Sequence, residues 1–349
     1  MKRIIFIING YGLGNSTRCT QLIEYYQMQG YSIDIFTSGN GLKYFKERSI
    51  PNTKTYHLIP IKYSLSDNKI STLKTILNFS DHFKTLSLNA KKIKQHIQKH
   101  DTNTIFVDSD YSYLFWRKYT HANIIAVNNA FEVLSTFYNK KKFKLLLIAH
   151  FYFELADLLI NYIICNKILC PCLSYPNNKP YSQILFKKMI FIPPLVRSEF
   201  TAHSKQNAPS LPLKGLLFLS SSGVSDAIME QYLSRLKKYH ISILTPQMRS
   251  AFNYNLFCQY DFFIINAGAS SLAEIMALKK PALVYPIPRH AEQEINASIY
   301  HDLKLGIKTS EKSLFDNIEK LLKYYAEYHE QNANRKNSSL QISKLNQYL

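Results

Sequence analysis

Residues 262–274, FFIINAGASSLAE, carry the clearest indication of the fold of this chain. An aromatic and β-branched run ends at Asn266, Gly268 interrupts it, and small and hydroxyl residues then open a helical pattern. A second apolar run follows at 281–286, and the order strand, turn, helix, strand is that of a parallel sheet with crossover helices. Helix N-termini attract anions, and ligands bind at the carboxyl edge of such sheets. We therefore expect a diphosphate at the first turn of this helix, at Gly268, Ala269, Ser270 and Ser271.

Glu274 is predicted to share a helix face with the two serines, because it follows Ser270 by four residues and Ser271 by three. A carboxylate at that place can accept hydrogen bonds from both hydroxyl groups of a ribose. The alternative is that Glu274 faces solvent without a ligand. The pattern therefore predicts a nucleotide site and leaves two readings of this carboxylate open.

Apolar runs alternate with helical segments along the chain, which predicts an α/β protein of two Rossmann-like, doubly wound domains. Its 349 residues exceed the size of one hydrophobic core. We place the first domain at 1–195 and the second at 196–349, with a linker in the Pro-, Asn- and Ser-rich segment 174–212. Segment 311–349 is predicted to be a polar helical tail, and a return of this tail across the linker is left open. The predicted strands are 4–8, 32–37, 104–107, 123–127, 215–219, 241–244, 262–265 and 282–285, and the predicted helices are 17–29, 73–99, 145–165, 226–238, 270–278 and 292–301.

The balance of 43 Lys and Arg against 24 Asp and Glu gives a formal net charge of +19. This field attracts nucleic acid, an anionic membrane surface or phosphorylated substrates, although a solvated face that keeps the protein soluble explains the lysine runs equally well. The five cysteines have no four-ligand spacing, which indicates buried thiols in a reducing cytoplasm and no metal site. The apolar run 4–8 is too short for a signal peptide, and polar residues interrupt 145–165, which argues against a membrane span.

A glycine-rich turn, NGYGLGNSTR at residues 9–18, follows the first predicted strand and opens a helix. Glycines tolerate positive φ and let backbone amides approach a ligand. The spacing is Gly-x-Gly-x-Gly, whereas a dinucleotide fingerprint requires Gly-x-Gly-x-x-Gly, so NAD binding is disfavoured. We expect Gly12, Gly14 and Arg18 beside a phosphate or the cleft, with a tight turn that binds no ligand as the alternative.

The block at 262–297 resembles the donor-site signature of the GT-B glycosyltransferases. It is most similar to the family 28-like group that includes the peptidoglycan UDP-N-acetylglucosaminyltransferase. The matching residues are Gly268, Ser271, Glu274, Pro286, Gln293, Asn296 and Ala297. Weaker landmarks in similar order extend the resemblance over nearly the whole chain. The resemblance implies two Rossmann-like domains facing a cleft and a nucleotide-sugar donor, with uridine as the base. It also places Ser221, Ser222 and Gly223 against the donor diphosphate.

One departure from that group concerns the catalytic base. Relatives carry a His in the first glycine-rich turn, whereas Asn15 occupies the matching position, and an amide cannot act as a general base. Asp108 and Asp110 follow a first-domain strand and are our candidates for the base, with a helix-capping or loop role as the alternative. Arg197 and Arg289 are candidates for neutralising phosphate charge and His290 for reaching the donor, and ordinary surface positions compete with each role.

The reaction implied is attack of an acceptor hydroxyl or amine on the anomeric carbon of the donor sugar, with inversion. Helix N-termini and serines would stabilise the leaving diphosphate, so no tightly bound metal or cofactor is expected. The charge and the lysine run 140–142 favour an anionic bilayer and a lipid-linked or envelope glycan acceptor, with the protein at the cytoplasmic face. The rivals are a nucleotide-sugar hydrolase and a nucleic-acid-binding protein. The latter lacks a recognisable binding motif, so no specific nucleic acid is expected.

Overall fold

The computed structural model describes residues 2–61, 65–66, 69–70, 79–139, 148–175, 187–202, 209, 211–219, 232, 234–244, 254–287 and 290–336. The chain forms two compact units. Unit 1 comprises Met1–Asn129, Ala156–Cys170 and Pro180–Ile190, and unit 2 comprises Ala130–Leu155, Pro171–Lys179 and Phe191–Leu349.

The first sheet has seven strands in the order β3-β2-β1-β6-β7-β8-β9. Its interior strand β1 is apolar and buried from Ile4 to Ile8, as expected for a parallel strand covered on both faces. The parallel register sets Ile8 opposite both Thr37 and Asp108, so the carboxyl ends of three strands form one edge. The strands are β1 Arg3–Ile8, β2 Ser32–Thr37, β3 Thr53–His57, β6 Thr104–Asp108, β7 Asn123–Val127, β8 Lys167–Pro171 and β9 Met189–Ile192, and a separate antiparallel pair comprises β4 Leu65–Ser66 and β5 Lys69–Ile70.

The helices described between these strands in the chain are α1 Gly14–Met28, α2 Gly39–Arg48, α3 Phe79–Lys99, α4 Tyr113–Trp116, α5 Ala130–Asn139 and α6 Ile148–Ile164. Of these, α5 belongs to unit 2, and α6 is divided between the two units at Leu155 and Ala156. The loops after β1 and β2 are in close contact. A Cβ atom on Gly10 would lie 1.8 Å from the backbone oxygen of Ser38, so only glycine fits there.

The second sheet has five parallel strands in the order β11-β10-β12-β13-β14. Alternate residues of its central strand serve two cores. Phe263 and Ile265 enter one cluster, and Phe262 and Ile264 enter the other. The strands are β10 Gly215–Phe218, β11 Ile241–Leu244, β12 Phe262–Asn266, β13 Ala282–Tyr285 and β14 Gly306–Lys308. The helices are α7 Ser198–Ala202, α8 Tyr254–Cys258, α9 Ala269–Leu278, α10 Ala291–Asp302, α11 Leu314–Lys323 and α12 Tyr325–Asn334.

The architecture confirms the predicted α/β class with two parallel sheets. The segment 174–212 was predicted as an irregular linker, and this is wrong in part, because it contains β9 and α7. Met189–Ile192 is short, apolar and buried, which suits an added strand better than a surface linker. The described part of the tail is helical, and within unit 2 Arg335 donates to the backbone oxygen of Leu173 at 2.6 Å.

Candidate functional site

The loop between β12 and α9 carries the predicted diphosphate residues. Gly268 is the residue before α9 and has no side chain that could cap this helix. Gly268, Ala269, Ser270 and Ser271 are partly exposed, while the helix is buried from Leu272 onward. Among the described residues, a Cβ atom on Gly268 would meet only the Ser271 hydroxyl, at 3.9 Å. A helix N-terminus with a glycine and two partly exposed serines suits an anionic ligand.

Two asparagines, Asn266 and Asn296, fix the loop between β12 and α9 through hydrogen bonds to backbone oxygens. Asn266 donates from Nδ2 to the backbone oxygen of Tyr285 at 2.9 Å, which ties the end of β12 to the end of β13. Asn296, which is fully buried, donates from Nδ2 to the backbone oxygen of Ala267 at 3.1 Å. The loop geometry is therefore fixed by residues of β12 and α10 before any ligand arrives.

His290 and Gln293 shape the start of α10. His290 is the residue before the helix, and its Nδ1 accepts from the backbone amide of Gln293 at 3.5 Å. Gln293 accepts at Oε1 from the backbone amide of Ile287 at 3.0 Å. His290 therefore caps a helix, and the Gln293 NH2 group, which has no acceptor among the described residues, can donate to a ligand.

Glu274 is buried and forms an ion pair with Arg197, a residue that was expected from the sequence to neutralise phosphate charge. Its two oxygens accept from Arg197, with Nε to Oε1 at 2.6 Å and Nη2 to Oε2 at 3.1 Å. Both side chains are about as buried as core residues, at 3% and 4% exposure. The reading of Glu274 as a solvent-facing residue is thus wrong, and contact with a ribose stays a prediction. Ser221, Ser222, Gly223 and Arg289 lie outside the described residues.

In unit 1 the glycine-rich turn differs from the expected conformation. Its described glycines have negative φ, so their conformational freedom is not used. Gly10 is required for its close approach to Ser38, whereas a Cβ atom on Gly12 would meet nothing within 4 Å. Gly12 and Gly14 are exposed, and Leu13, the residue before α1, makes no side-chain capping hydrogen bond. The turn and the start of α1 thus lie at the carboxyl edge of the first sheet.

Asn15, Arg18 and Asp108 come together at this edge. Arg18 donates from Nε to Oδ2 of Asp108 at 2.9 Å and from Nη2 to Oδ1 at 2.5 Å. The same Nη2 donates to Oδ1 of Asn15 at 3.3 Å. The Cys19 thiol also donates to Asp108, at 3.2 Å, and burial together with this carboxylate raises the thiol pKa. Asp108 is therefore an ion-pair partner whose oxygens are already occupied.

Asp110 lies two residues further on and is buried at 5% exposure. Its Oδ1 accepts from the backbone amide of Ser112 at 2.9 Å. Burial raises the pKa of this carboxyl group above its ordinary value of 3.8, because the charged form is poorly solvated. The two candidate bases therefore differ. Asp110 has a raised pKa and accepts hydrogen bonds from Ser112 among the described residues, whereas both oxygens of Asp108 accept from Arg18.

A polar cluster around Asp157 on α6 was missed by sequence reasoning. Asp157 accepts from the Tyr111 hydroxyl at 2.8 Å and from Asn128 Nδ2 at 2.7 Å, and burial raises its pKa. Asn161, one turn later, accepts from the buried Tyr113 hydroxyl at 2.9 Å. These polar residues interrupt the apolar segment 145–165, and that interruption was the available signal. Within the described ranges, no three His, Cys, Asp or Glu side chains are grouped to hold a metal ion, and no helix is long and apolar enough to span a bilayer.

Comparison with solved structures identifies the fold. The chain aligns with Phytolacca americana UGT2, solved with UDP-2-fluoro-glucose and pterostilbene, at a TM-score of 0.67 and 12% identity over 99% of each chain. It aligns with Acinetobacter baumannii MurG at a TM-score of 0.55 and 13% identity, over 95% of this chain and 94% of that one. The fold is therefore that of the GT-B glycosyltransferases.

Sequence comparison then gives the family. A model described as glycosyl transferase family 1 matches residues 2–325, and the chain belongs to this family. A relative from Clostridium novyi (strain NT) is 25% identical over 90% of this chain and 87% of its own length. That relative is named UDP-N-acetylglucosamine--N-acetylmuramyl-(pentapeptide) pyrophosphoryl-undecaprenol N-acetylglucosamine transferase. The chain is a glycosyltransferase, and the resemblance seen in residues 262–297 is confirmed.

Proposed function

We propose that this glycosyltransferase moves a sugar from a uridine diphosphate donor to a lipid-linked or envelope glycan acceptor, with inversion and without a tightly bound metal. The observation that carries the proposal is the start of α9, where Gly268 has no side chain, Ser270 and Ser271 are partly exposed, and a Cβ atom on Gly268 would meet no described atom nearer than the Ser271 hydroxyl at 3.9 Å. Support for the donor and acceptor classes comes from the name of the Clostridium relative.

In this reaction the acceptor oxygen or nitrogen forms a bond to the anomeric carbon while the bond from that carbon to the donor diphosphate breaks. The diphosphate leaves with its electron pair, and the amides and hydroxyls of Gly268, Ala269, Ser270 and Ser271 stabilise the negative charge. Gln293 donates to the same donor from its NH2 group. The resemblance to the GT-B glycosyltransferases adds Ser221, Ser222 and Gly223, which lie outside the described residues, to the residues proposed to bind the donor diphosphate.

The acceptor proton passes to Asp110 in our proposal, because Asn15 cannot take it and Asp108 is already bonded to Arg18 at both oxygens. A carboxylate with a raised pKa is a stronger base than an ordinary one. Asn15, Gly12 and Gly14 then orient the acceptor or a phosphate of the acceptor at the glycine-rich turn. Arg18 acts there through its charge, which Asp108 partly balances.

A membrane surface is part of the proposal because α6 presents an apolar stripe to solvent. The stripe consists of Tyr152, Ala156, Leu159 and Ile163, which recur at three- and four-residue intervals on one helix face. Ile163 is 71% exposed and Tyr152 is 64% exposed. A helix with an exposed apolar face in a chain of net charge +19 suits an anionic bilayer interface. The proposed location is accordingly the cytoplasmic face of the membrane.

Thermal unfolding with a panel of nucleotides and nucleotide sugars tests the donor. A ligand that binds only the folded state raises the melting temperature. At a free ligand concentration of a hundred times Kd, the free energy of unfolding increases by about 2.7 kcal/mol. We expect UDP and a UDP-sugar to stabilise the protein more than GDP or ADP and their sugars. Equal melting temperatures with every nucleotide tried would contradict the proposal.

Incubation with the stabilising UDP-sugar alone, and then with a lipid-linked acceptor, separates the possible reactions. A transferase releases UDP quickly only when the acceptor is present. Release of free sugar at the same rate without acceptor would instead identify a nucleotide-sugar hydrolase. Binding to DNA and RNA that is abolished by moderate salt would mark such binding as nonspecific.

A further inference from the structure

A cavity of about 400 Å³ lies in unit 1 at the edge of the first sheet where the strands begin. It is lined by residues 97–103, from the end of α3 to the start of β6, and by residues 119–122, which precede β7. Asp108 and Asp110 lie at the opposite end of β6, where the strand finishes. A strand of five residues is about 16 Å long, so this cavity is separate from the candidate site.

The lining of this cavity is basic. Lys99 ends α3, His100 follows it, and His121 precedes β7. Among the described residues that line the cavity, Asp101 is the one carboxylate, and the buried Ile97 supplies apolar wall. Cations in a concave site with apolar walls attract anions more strongly than the same cations on a flat surface, because the walls focus the field.

Tyr119 also lines the cavity, and two lysines lie against its ring. Nζ of Lys94 is 3.4 Å from the ring centre, and Nζ of Lys118 is 5.2 Å from it. Lys118 and Lys94 lower the pKa of the Tyr119 phenol, because positive charge stabilises the phenolate. Two further cations are therefore present beside the cavity.

Positive charge is also in excess on the side of His100. Burial lowers the pKa of His100, and the neighbouring Arg3, His96 and Lys54 lower it further. Asp34 opposes this effect, but its carboxylate already pairs with Arg3 at 3.3 Å and with His96 at 2.8 Å. An anion in the cavity would reduce the repulsion among these cations.

We propose that this cavity is a second anion site, in which Lys99, Lys94 and Lys118 bind the phosphate group of a small ligand away from the site of sugar transfer. Its volume falls within the range of small-molecule sites, about 300–1,000 Å³. A phosphate ester carries a charge of about −1.5 to −2 near neutral pH and three strong acceptor oxygens, which suits several ammonium groups at one place. The inference is independent of the proposed function, because none of these lysines belongs to the proposed donor or acceptor residues.

Tyr119 provides a local reporter of the cavity. Tetranitromethane nitrates the phenolate form of tyrosine, and mass spectrometry of the digested protein measures Tyr119 separately from the other tyrosines. We expect saturating inorganic pyrophosphate to slow the nitration of Tyr119 by about tenfold, because an anion beside the lysines opposes ionisation of the phenol. Sodium chloride at equal ionic strength controls for screening. Tyr324 of unit 2 is the internal reference, since it is 37% exposed and has Nζ of Lys323 5.1 Å from its ring centre, and its rate should not change.

Two probes distinguish the possible sources of the phosphate group. Pyrophosphate represents a free ligand, and dihexanoyl phosphatidic acid below its micelle concentration represents a lipid headgroup. Protection of Tyr119 by pyrophosphate would support a free ligand, and protection by the lipid alone would support a headgroup. If neither probe slows nitration more than sodium chloride does, the inference is wrong.

Lys99→Gln should raise the pyrophosphate concentration that gives half-protection by about tenfold, the loss of one hydrogen bond to a charged group. Lys91→Gln is the matched control, because it removes an exposed lysine of the same helix that does not line the cavity, and the concentration should change by about twofold or less. Asp101→Asn should lower the concentration, because it removes a carboxylate that repels the anion.

Equal shifts in Lys99→Gln and Lys91→Gln would indicate general attraction by the charge of the protein and would also overturn the inference. Thermal unfolding verifies that each variant is folded. A failure of the proposed function, such as the absence of UDP binding, would leave the protection of Tyr119 unaltered, so the two failures are distinguishable.

Discussion

Arg18 and Asp108 form a bidentate ion pair that connects the start of α1 to the end of β6, with Nε to Oδ2 at 2.9 Å and Nη2 to Oδ1 at 2.5 Å. Arg18 is 9% exposed and Asp108 is 1% exposed. A buried pair of this kind is costly to break on one side, because the remaining charge loses its partner and is not hydrated. The pair therefore fixes the glycine-rich turn against the neighbouring strand.

Arg18→Met should lower the free energy of unfolding by about 3–5 kcal/mol, because it leaves the Asp108 carboxylate buried without its cation. Urea unfolding at neutral pH measures this change. Arg48→Met is the matched control, since Arg48 pairs with Glu24 at 3.0 Å but both side chains are partly exposed, and we expect a loss of about 1 kcal/mol or less. Equal losses in the two variants would show that the Arg18 pair contributes no more than a surface pair.

The strands 32–37, 123–127, 241–244 and 282–285 were predicted with the bounds that the structure has. Each is an apolar run long enough to be recognised locally. β3 was missed because its sequence, TKTYH, is polar and lies at the edge of the sheet, where burial is incomplete. The largely buried strands β8, β9 and β14 were missed as well, so the local pattern identified the longer apolar runs and failed both at an exposed strand and at several short or late ones.

The candidate site was predicted unevenly for a related reason. Gly268 and the serines after it were found because a strand, a glycine and a helix start lie together in the sequence. The partners Arg197 and Glu274 are 77 residues apart, and Arg18 and Asp108 are 90 apart, so no local pattern encodes either pair. The fold alone brings these charges together, and only the structure reveals which carboxylates are already occupied.

Gly10→Ala should destabilise unit 1, because the new methyl group would lie 1.8 Å from the backbone oxygen of Ser38. Backbone cannot yield as a flexible side chain can, and we expect a loss of about 1–3 kcal/mol or more. Gly12→Ala is the control two residues away, where the methyl group meets nothing within 4 Å, and its stability should change by about 0.5 kcal/mol or less. Urea unfolding of both variants gives the comparison, and a stable Gly10→Ala protein would contradict the described loop contact.

Ile163→Glu should weaken binding to anionic vesicles, because it places a carboxylate in the apolar stripe of α6. Burying a side chain of this size contributes about 1.5–3 kcal/mol, so the bound fraction at limiting lipid should fall by about tenfold or more. Co-sedimentation with vesicles of phosphatidylglycerol and phosphatidylcholine measures it. Met28→Glu, at a position that is 61% exposed at the end of α1, removes an apolar side chain outside the stripe and should cost less. Equal recovery of wild type with neutral and anionic vesicles would remove the bilayer from the proposal.

Asp110→Asn should lower turnover by about a hundredfold or more if Asp110 accepts the acceptor proton, since general-base catalysis contributes about that much. A matched control is Asp101→Asn, which changes an exposed carboxylate of the same unit and should leave turnover unaltered. Unchanged turnover in a folded Asp110→Asn protein would exclude Asp110 as the base.

The pH dependence gives a second readout for Asp110. Its raised pKa means that the wild-type rate should fall on acidification at a pH above the ordinary value of 3.8, because only the ionised form accepts a proton. Stability should change in the opposite direction. Between the ordinary and the raised pKa the folded state holds a proton that the unfolded chain has lost, so the contribution of this group to stability decreases as the pH rises. Asp110→Asn removes this titrating group. As the pH rises through this window, the free energy of unfolding of the wild type should therefore decrease relative to that of Asp110→Asn. Parallel pH profiles of stability for wild type and Asp110→Asn would mean that the pKa of Asp110 is not raised in the folded protein. The reason for preferring Asp110 as the base would then be lost.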